Sequence, residues 1–223
     1  MILIKNLSKK FNDESHLIFR DYAFENNKTY VITGPSGCGK STLLNLISGI
    51  ISATTGQISI DTSDKTYHLH EMNQKQKDVF RFFNVGYVFQ DFKLVEDFTV
   101  LDNLKMLNIN GKVHSDEDIE RALELAHIAN KKNQKVRNLS GGEKQRVSIA
   151  RAIIKKSNIV LADEPTESLN ESLSHEIIEL LTKVAKQENK TLIMVTHDNS
   201  LTKYFDIHLD VNDFMIEGDE TNV

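Results

Sequence analysis

The residue types best able to do chemistry gather in three short stretches: GPSGCGKST at 34–42, IVLADE at 159–164 and TLIMVTHD at 191–198. The first has the spacing G-x-x-x-x-G-K-[ST], set between an apolar run and the helical pattern TLLNLI. In that context glycines let backbone N–H groups wrap a phosphate, and a helix N-terminus adds a positive field. Gly34, Gly37 and Gly39 would supply the close backbone, Lys40 would reach the β- and γ-phosphates of a nucleotide, and Ser41 would ligate Mg²⁺. Pro35, Ser36, Cys38 and Thr42 complete the loop. In the second stretch an apolar strand ends in two carboxylates. Asp163 is suited to hold Mg²⁺ through its water shell, and Glu164 to orient and deprotonate an attacking water. His197 ends the third stretch in the same way, where an imidazole could donate to a γ-phosphate. A lone histidine is more often a surface or packed residue, and only the strand-end position favours the chemical reading. His68 and His70, two apart and without a third ligand in view, read as solvated.

A second glycine-rich stretch, NLSGGEKQR at 138–146, lies far downstream. Ser140 and Glu143 have capping-box spacing, so the minimal reading is a helix start running into KQRVSIARAII. Two consecutive glycines destabilise such a helix by roughly 1 kcal/mol each relative to alanine unless something must approach the backbone. A phosphate would be such a visitor. One nucleotide needs only one loop of the first kind, and the glycine pair by itself leaves open which phosphate the second would meet.

These residues need strands to carry them. TYVIT (29–33), GYVFQ (86–90), NIVLAD (158–163) and TLIMVT (191–196) are apolar runs of strand length, separated by segments of helical period. Each ends in polar or glycine-containing sequence, as in open parallel sheets that gather ligands at their C-terminal edge. MILIKNL and GQISID alternate apolar with polar residues and predict an antiparallel flank. Between Gln90 and Asn158 the pattern is helical, including SDEDIERALELAHIAN with Ser115 and Asp118 at capping-box spacing. The expected architecture is α/β: a mainly parallel P-loop NTPase core with an antiparallel β flank and an inserted helical subdomain. It forms one nucleotide-binding domain over 1–223, with 1–90 and 156–223 as the core and 91–155 as the helical part.

The 223 residues, 39% hydrophobic, suffice for such a core. A net charge of -5 gives no general reason to bind nucleic acid, and a single cysteine, Cys38, allows no internal disulfide. A cytoplasmic setting is therefore expected. MILIKNLSKK lacks the pattern of a secretory leader, and the longest uncharged run, 41–60, is too often interrupted by polar residues for a membrane span. A membrane role would have to come through a partner.

Taken together, the motifs resemble those of ATP-binding cassette (ABC) ATPases. GPSGCGKST is similar to that family's Walker A, Gln90 in VFQDF to its Q-loop, LSGGE to its signature, IVLADE to its Walker B and His197 to its switch histidine, in the family's order over about 1–210. The resemblance implies ATP and Mg²⁺ as cofactors, with Ser41, Gln90 and Asp163 at the metal and Glu164, His197, Lys40 and Gln90 as catalytic groups. It implies a homodimer in which each loop 34–42 faces Ser140, Gly141, Gly142 and Glu143 of the other copy. Phe11 in LSKKF resembles the aromatic residue that stacks on adenine, and could equally be a core residue.

Three positions depart from the pattern. Asn170 stands where the D-loop usually has Asp, Glu167 where close relatives often have Gly, and Cys38 where Ser is frequent. The first two put hydrolysis rate and coupling between sites in question more than ATP binding. NVGYVFQDFKLVEDFTVLDNL, with Arg81 just before it, resembles the branch serving lipoprotein release, macrolide export, peptide-antibiotic resistance and cell division. That branch implies a separately encoded membrane permease gripped near Gln90, at the inner face of the cell membrane, and export or extraction of an amphipathic substrate such as a peptide, lipoprotein or macrolide. The alternatives are mechanotransmission without transport and, from another class, a soluble ABC ATPase on DNA or ribosomes. The last normally needs a coiled-coil arm or a second cassette, neither of which this sequence has.

Overall fold

The computed structural model describes residues 1–12, 15–62, 64–108, 114–155 and 157–217. The chain begins with β1 (Ile2–Asn12), β2 (Ser15–Phe19), β3 (Tyr22–Phe24) and β4 (Thr29–Thr33), then α1 (Lys40–Ile47) and β5 (Thr55–Asp61). β6 (Thr66–His68), α2 (Gln74–Asn84) and β7 (Val85–Val88) follow, and next α3 (Val100–Lys105), α4 (Asp116–Leu125) and α5 (Gly141–Ile153). The chain then alternates β8 (Ile159–Asp163), α6 (Glu171–Gln187) and β9 (Thr191–Thr196), and closes on β10 (Ile207–Asp210), α7 (Val211–Phe214) and β11 (Met215–Glu217).

One sheet has the order β10-β4-β9-β8-β7, every neighbouring pair parallel. β4 and β9 are buried at every position, which is why they read as unbroken apolar runs rather than alternating ones. Their side chains divide by the strand period of two. Val31, Val160, Ala162, Leu192 and Met194 pack with α5 and α6, while Tyr30, Ile32, Leu161, Ile193 and Val195 pack with α1 and the second sheet. Each fully buried residue of this size contributes about 1.5–3 kcal/mol.

The second sheet, β11-β2-β1-β5-β6 with β3 on β1, is antiparallel as expected. Its register sets Ile2 opposite Ile60 and Ile4 opposite Ile58, so the apolar half of each strand faces the core shared with α1. Between β7 and β8 the described chain is helical, and α5 touches β7, α4 and α6. The strand expected over 86–90 runs instead over Val85–Val88. Phe92 and Lys93 turn the chain with φ of 59° and 48°, leaving Phe89 and Gln90 beyond the strand end. No helix among the described residues is long and apolar enough to cross a membrane.

Candidate nucleotide site

α1 starts at Lys40, directly after Gly39, whose φ is 100°. A Cβ there would also come within 2.7 Å of Leu17 Cδ1, so only glycine fits. The helix has no side-chain cap and no acidic residue in its first turn. Its first N–H groups and their partial positive charge are therefore left for an anion. Gly34 serves differently from the expectation: a Cβ would sit 2.3 Å from Val211 Cγ1, so its missing side chain makes room for α7. Lys40 is only 5% exposed. Its Nζ donates to the carbonyls of Gly34 and Pro35 at 2.8 Å each, lies 3.9 Å from Cys38 Sγ and stands 3.5 Å from Glu164 Oε1. A cation is thus held inside the curl of the loop.

The strand ends deliver the rest. The Ser41 hydroxyl donates to Asp163 Oδ1 at 2.7 Å. Burial pushes the Asp163 carboxyl up from its ordinary value and Glu164 and Glu167 push it further, against the opposing pull of Ser41 and Lys40. A divalent cation beside it would relieve that strain. Glu164 has a φ of 44°, a conformation uncommon outside glycine, and its N–H is tied to the Val195 carbonyl at 3.1 Å. Because Asp163 pairs with Val195 in register, Glu164 meets His197 across β8 and β9. Glu164 Oε2 accepts from the His197 N–H at 3.2 Å and contacts His197 Nδ1 at 2.9 Å, which leaves Nε2 as the ring nitrogen to meet a ligand.

Gln90, in the turn after β7, donates its amide to Glu167, whose backbone N–H in turn bonds the Glu164 carbonyl at 3.2 Å. A cavity of about 330 Å³ lies between them, lined by Ser36, Gly37, Gly39, Lys40, Ser41, Thr42, Gln90, Glu164 and Glu167. It has room for phosphate groups on the N-terminus of α1. The oxygens of Ser41, Asp163 and Gln90 are the hard donors that Mg²⁺ takes. Among the described residues no group of three His, Cys, Asp or Glu forms a metal cage. Sequence reasoning treated Glu167 only as a departure. Its place three residues beyond Glu164 was the signal that it lines the same cavity.

The second glycine-rich entrance stands apart. Ser140 caps α5: its Oγ accepts from the Glu143 N–H at 3.3 Å and donates to Glu143 Oε2 at 2.9 Å, and its own N–H donates to that oxygen at 2.8 Å. The Ser140 N–H first, and then its hydroxyl and Lys131, hold the Glu143 carboxyl below its usual value. Gly142 departs from the expectation that both glycines await a visitor. A Cβ there would lie 2.6 Å from Leu173 Cδ2, so α6 of the same chain also packs closely against this glycine. Ser140 and Gly141 are exposed and line no part of the phosphate cavity. Phe11 is on β1, 55% exposed, also outside the cavity lining. Asn170 caps α6 by accepting from the Leu173 N–H at 3.0 Å.

The family model for ABC transporters matches residues 20–167, from just after β2 through the phosphate loop, Gln90 and LSGGE to Glu167. This chain belongs to the ABC transporter ATPase family. As an ABC ATPase it binds and hydrolyses ATP, and its cofactors are ATP and Mg²⁺. It is similar to the lipoprotein-releasing system ATP-binding protein LolD of Treponema denticola, at 36% identity over 93% of each chain. It is similar in structure to the dimeric MJ0796 cassette of Methanocaldococcus jannaschii, with a TM-score of 0.79 and 31% identity over 94% of each chain. A second solved form of MJ0796, a dimeric post-hydrolysis state bound to ADP and Pi, matches with a TM-score of 0.80 and 29% identity over 96% of this chain and 97% of that one. The ABC ATPase architecture expected from the motifs, a P-loop core with an antiparallel flank, is the architecture observed.

Proposed function

We propose that this ABC ATPase works as a homodimer closed over two MgATP, each copy lending Ser140, Gly141, Gly142 and Glu143 to the phosphates on the other copy's 34–42 loop. One observation carries the reading: Ser140 and Gly141, at the start of α5, are exposed and take no part in their own chain's cavity. The dimeric form of the similar cassette MJ0796 supports it. In this reading Lys40 leaves the loop carbonyls for the β- and γ-phosphates. Ser41, Asp163 and Gln90 hold the Mg²⁺, which neutralises phosphate charge when bound. Glu164 takes the proton of the attacking water, and His197, steadied through Nδ1 on Glu164, presents Nε2 to the γ-phosphate. Phe11 offers its exposed ring to adenine, with Lys9 Nζ 5.4 Å from the ring centroid on one side.

The work is delivered to separately encoded membrane permease subunits, which would hold the ATPase at the inner face of the cell membrane. A groove of about 390 Å³ lies just before Gln90, lined by Arg81, Phe82, Tyr87, Phe89, Leu107, Arg151 and Lys155 among others. Tyr87 and Phe89 stack there at 4.1 Å between centroids, and the Tyr87 hydroxyl reaches Asn45 on α1 at 3.3 Å. A helix of the permease seated in this groove would press on the segment that carries Gln90 and, through Tyr87, on the helix that carries the phosphates. The similarity to the lipoprotein-releasing protein LolD supports export or extraction of an amphipathic substrate such as a lipoprotein; a peptide or macrolide would rest on the sequence branch alone. Photo-crosslinking from position 82 in native membranes tests the assignment. A polytopic membrane protein in the adduct is the expected result, and adducts only with ribosomal or nucleic-acid-bound proteins would overturn it.

A further inference from the structure

We propose that Glu167 is a positioning residue for Gln90: it takes the amide N–H₂ and so turns the amide oxygen toward the phosphate cavity, where the Mg²⁺ of MgATP needs it. The inference rests on the reading of Gln90 as a metal ligand. A glutamine amide has two ends of opposite character, and on an exposed turn either end can face inward. Only the oxygen can serve a hard cation; the N–H₂ end would repel it. An ionised carboxylate accepts hydrogen bonds and cannot donate them, so a carboxylate beside Gln90 selects the nitrogen end.

Glu167 meets that requirement. Gln90 Nε2 donates to Glu167 Oε2, and both residues line one cavity with Lys40, Ser41 and Glu164. The backbone that carries the carboxylate is fixed by its own turn, with the Glu167 N–H on the Glu164 carbonyl at 3.2 Å and the Leu169 N–H on the Thr166 carbonyl at 3.0 Å. Glu167 therefore moves with the strand end that carries Asp163 and Glu164, and ties the turn after β7 to it. Gln90 and Glu167 are both exposed in the single chain, where water competes for the amide. Closure of a second copy over the cavity would exclude that water and strengthen the bond as the site is completed.

The test is Mn²⁺ titration, followed by electron paramagnetic resonance, of ATP-loaded protein carrying Glu164→Gln to suppress turnover. Glu167→Ala, Glu167→Gln, Gln90→Ala and the Gln90→Ala/Glu167→Ala pair are compared, and ATP binding in EDTA reports whether each variant is folded. Glu167→Ala should weaken Mn²⁺ roughly 10-fold, the size of other outer-shell effects on metal sites, with metal-free ATP binding unchanged. Glu167→Gln, which keeps an acceptor but adds a donor, should fall between. In the Gln90→Ala background Glu167→Ala should add nothing. An equal loss in both backgrounds would mean that Glu167 acts by charge alone, and unchanged or tighter Mn²⁺ in Glu167→Ala would overturn the positioning role. Should Gln90→Ala itself leave Mn²⁺ affinity unchanged, the ligand reading of Gln90 falls as well; a loss in Gln90→Ala without one in Glu167→Ala removes the inference alone.

Discussion

At Gly39–Lys40 a helix begins with no side-chain cap and no acid in its first turn, whereas at Ser140–Gly141 another begins under a complete capping box with Glu143 bonded to the Ser140 N–H and hydroxyl. Both entrances are rich in glycine, yet the first lacks an anion and the second carries its own. The difference teaches which of them can start the reaction. α1 gains from a phosphate directly, because its free N–H groups face it, and Lys40 has only two loop carbonyls and the Glu164 carboxylate at 3.5 Å to exchange for it. α5 is satisfied as it stands, and a phosphate reaching Ser140 must compete with Glu143. In the proposed dimer nucleotide would therefore bind first on the 34–42 loop, with the α5 entrance joining when a second copy brings it up.

The largest expected effect comes from emptying the first entrance. Lys40→Ala should weaken ATP binding on the order of 100-fold, read by fluorescent nucleotide titration, while the thermal stability of the nucleotide-free chain stays nearly unchanged. Next, Glu164→Gln should keep ATP binding and lower turnover by roughly 10²–10⁴-fold, measured as phosphate release. Turnover at the parental rate would remove Glu164 as the base. Ser140→Arg should leave nucleotide affinity of the single chain intact and abolish MgATP-dependent dimerisation, so that the two entrances separate cleanly in one variant.

The smallest effect sharpens the contrast in caps. Glu143→Ala should lower Tm by about 2–4 °C at pH 7, equivalent to the roughly 1 kcal/mol of a lost cap in a chain of this size. Glu143 has a folded-state value below the unfolded one, through the Ser140 N–H first. Its stabilising contribution is therefore complete above the ordinary glutamate value of about 4.3 and disappears as pH falls through the lower native value. The Tm difference between parent and Glu143→Ala should shrink accordingly below about pH 4, by calorimetry. No such acid-dependent cap exists at Gly39.

Much of this was legible in the sequence because it depends on local spacing. The phosphate loop, the carboxylate pair and the capping boxes at Ser115 and Ser140 are contiguous motifs, and strands buried on both faces leave unbroken apolar runs. What was not legible depends on residues far apart. Gly34 makes room for Val211 and Gly142 lies close against Leu173, contacts that only the packed fold creates. The closing elements β10, α7 and β11 are only three or four residues long, too brief for a period to stand out. Glu167 looked like a departure from a glycine position. Its bond to Gln90 joins residues 77 apart in sequence and follows from where two strand ends meet.

The account stands on nucleotide joining two copies through entrances of opposite character. Sedimentation velocity of Glu164→Gln protein, with and without saturating MgATP, tests that most directly. A dimer that forms with MgATP and dissociates when the nucleotide is removed is the predicted result. A particle that remains monomeric in saturating MgATP, even with its membrane partner present, would contradict it.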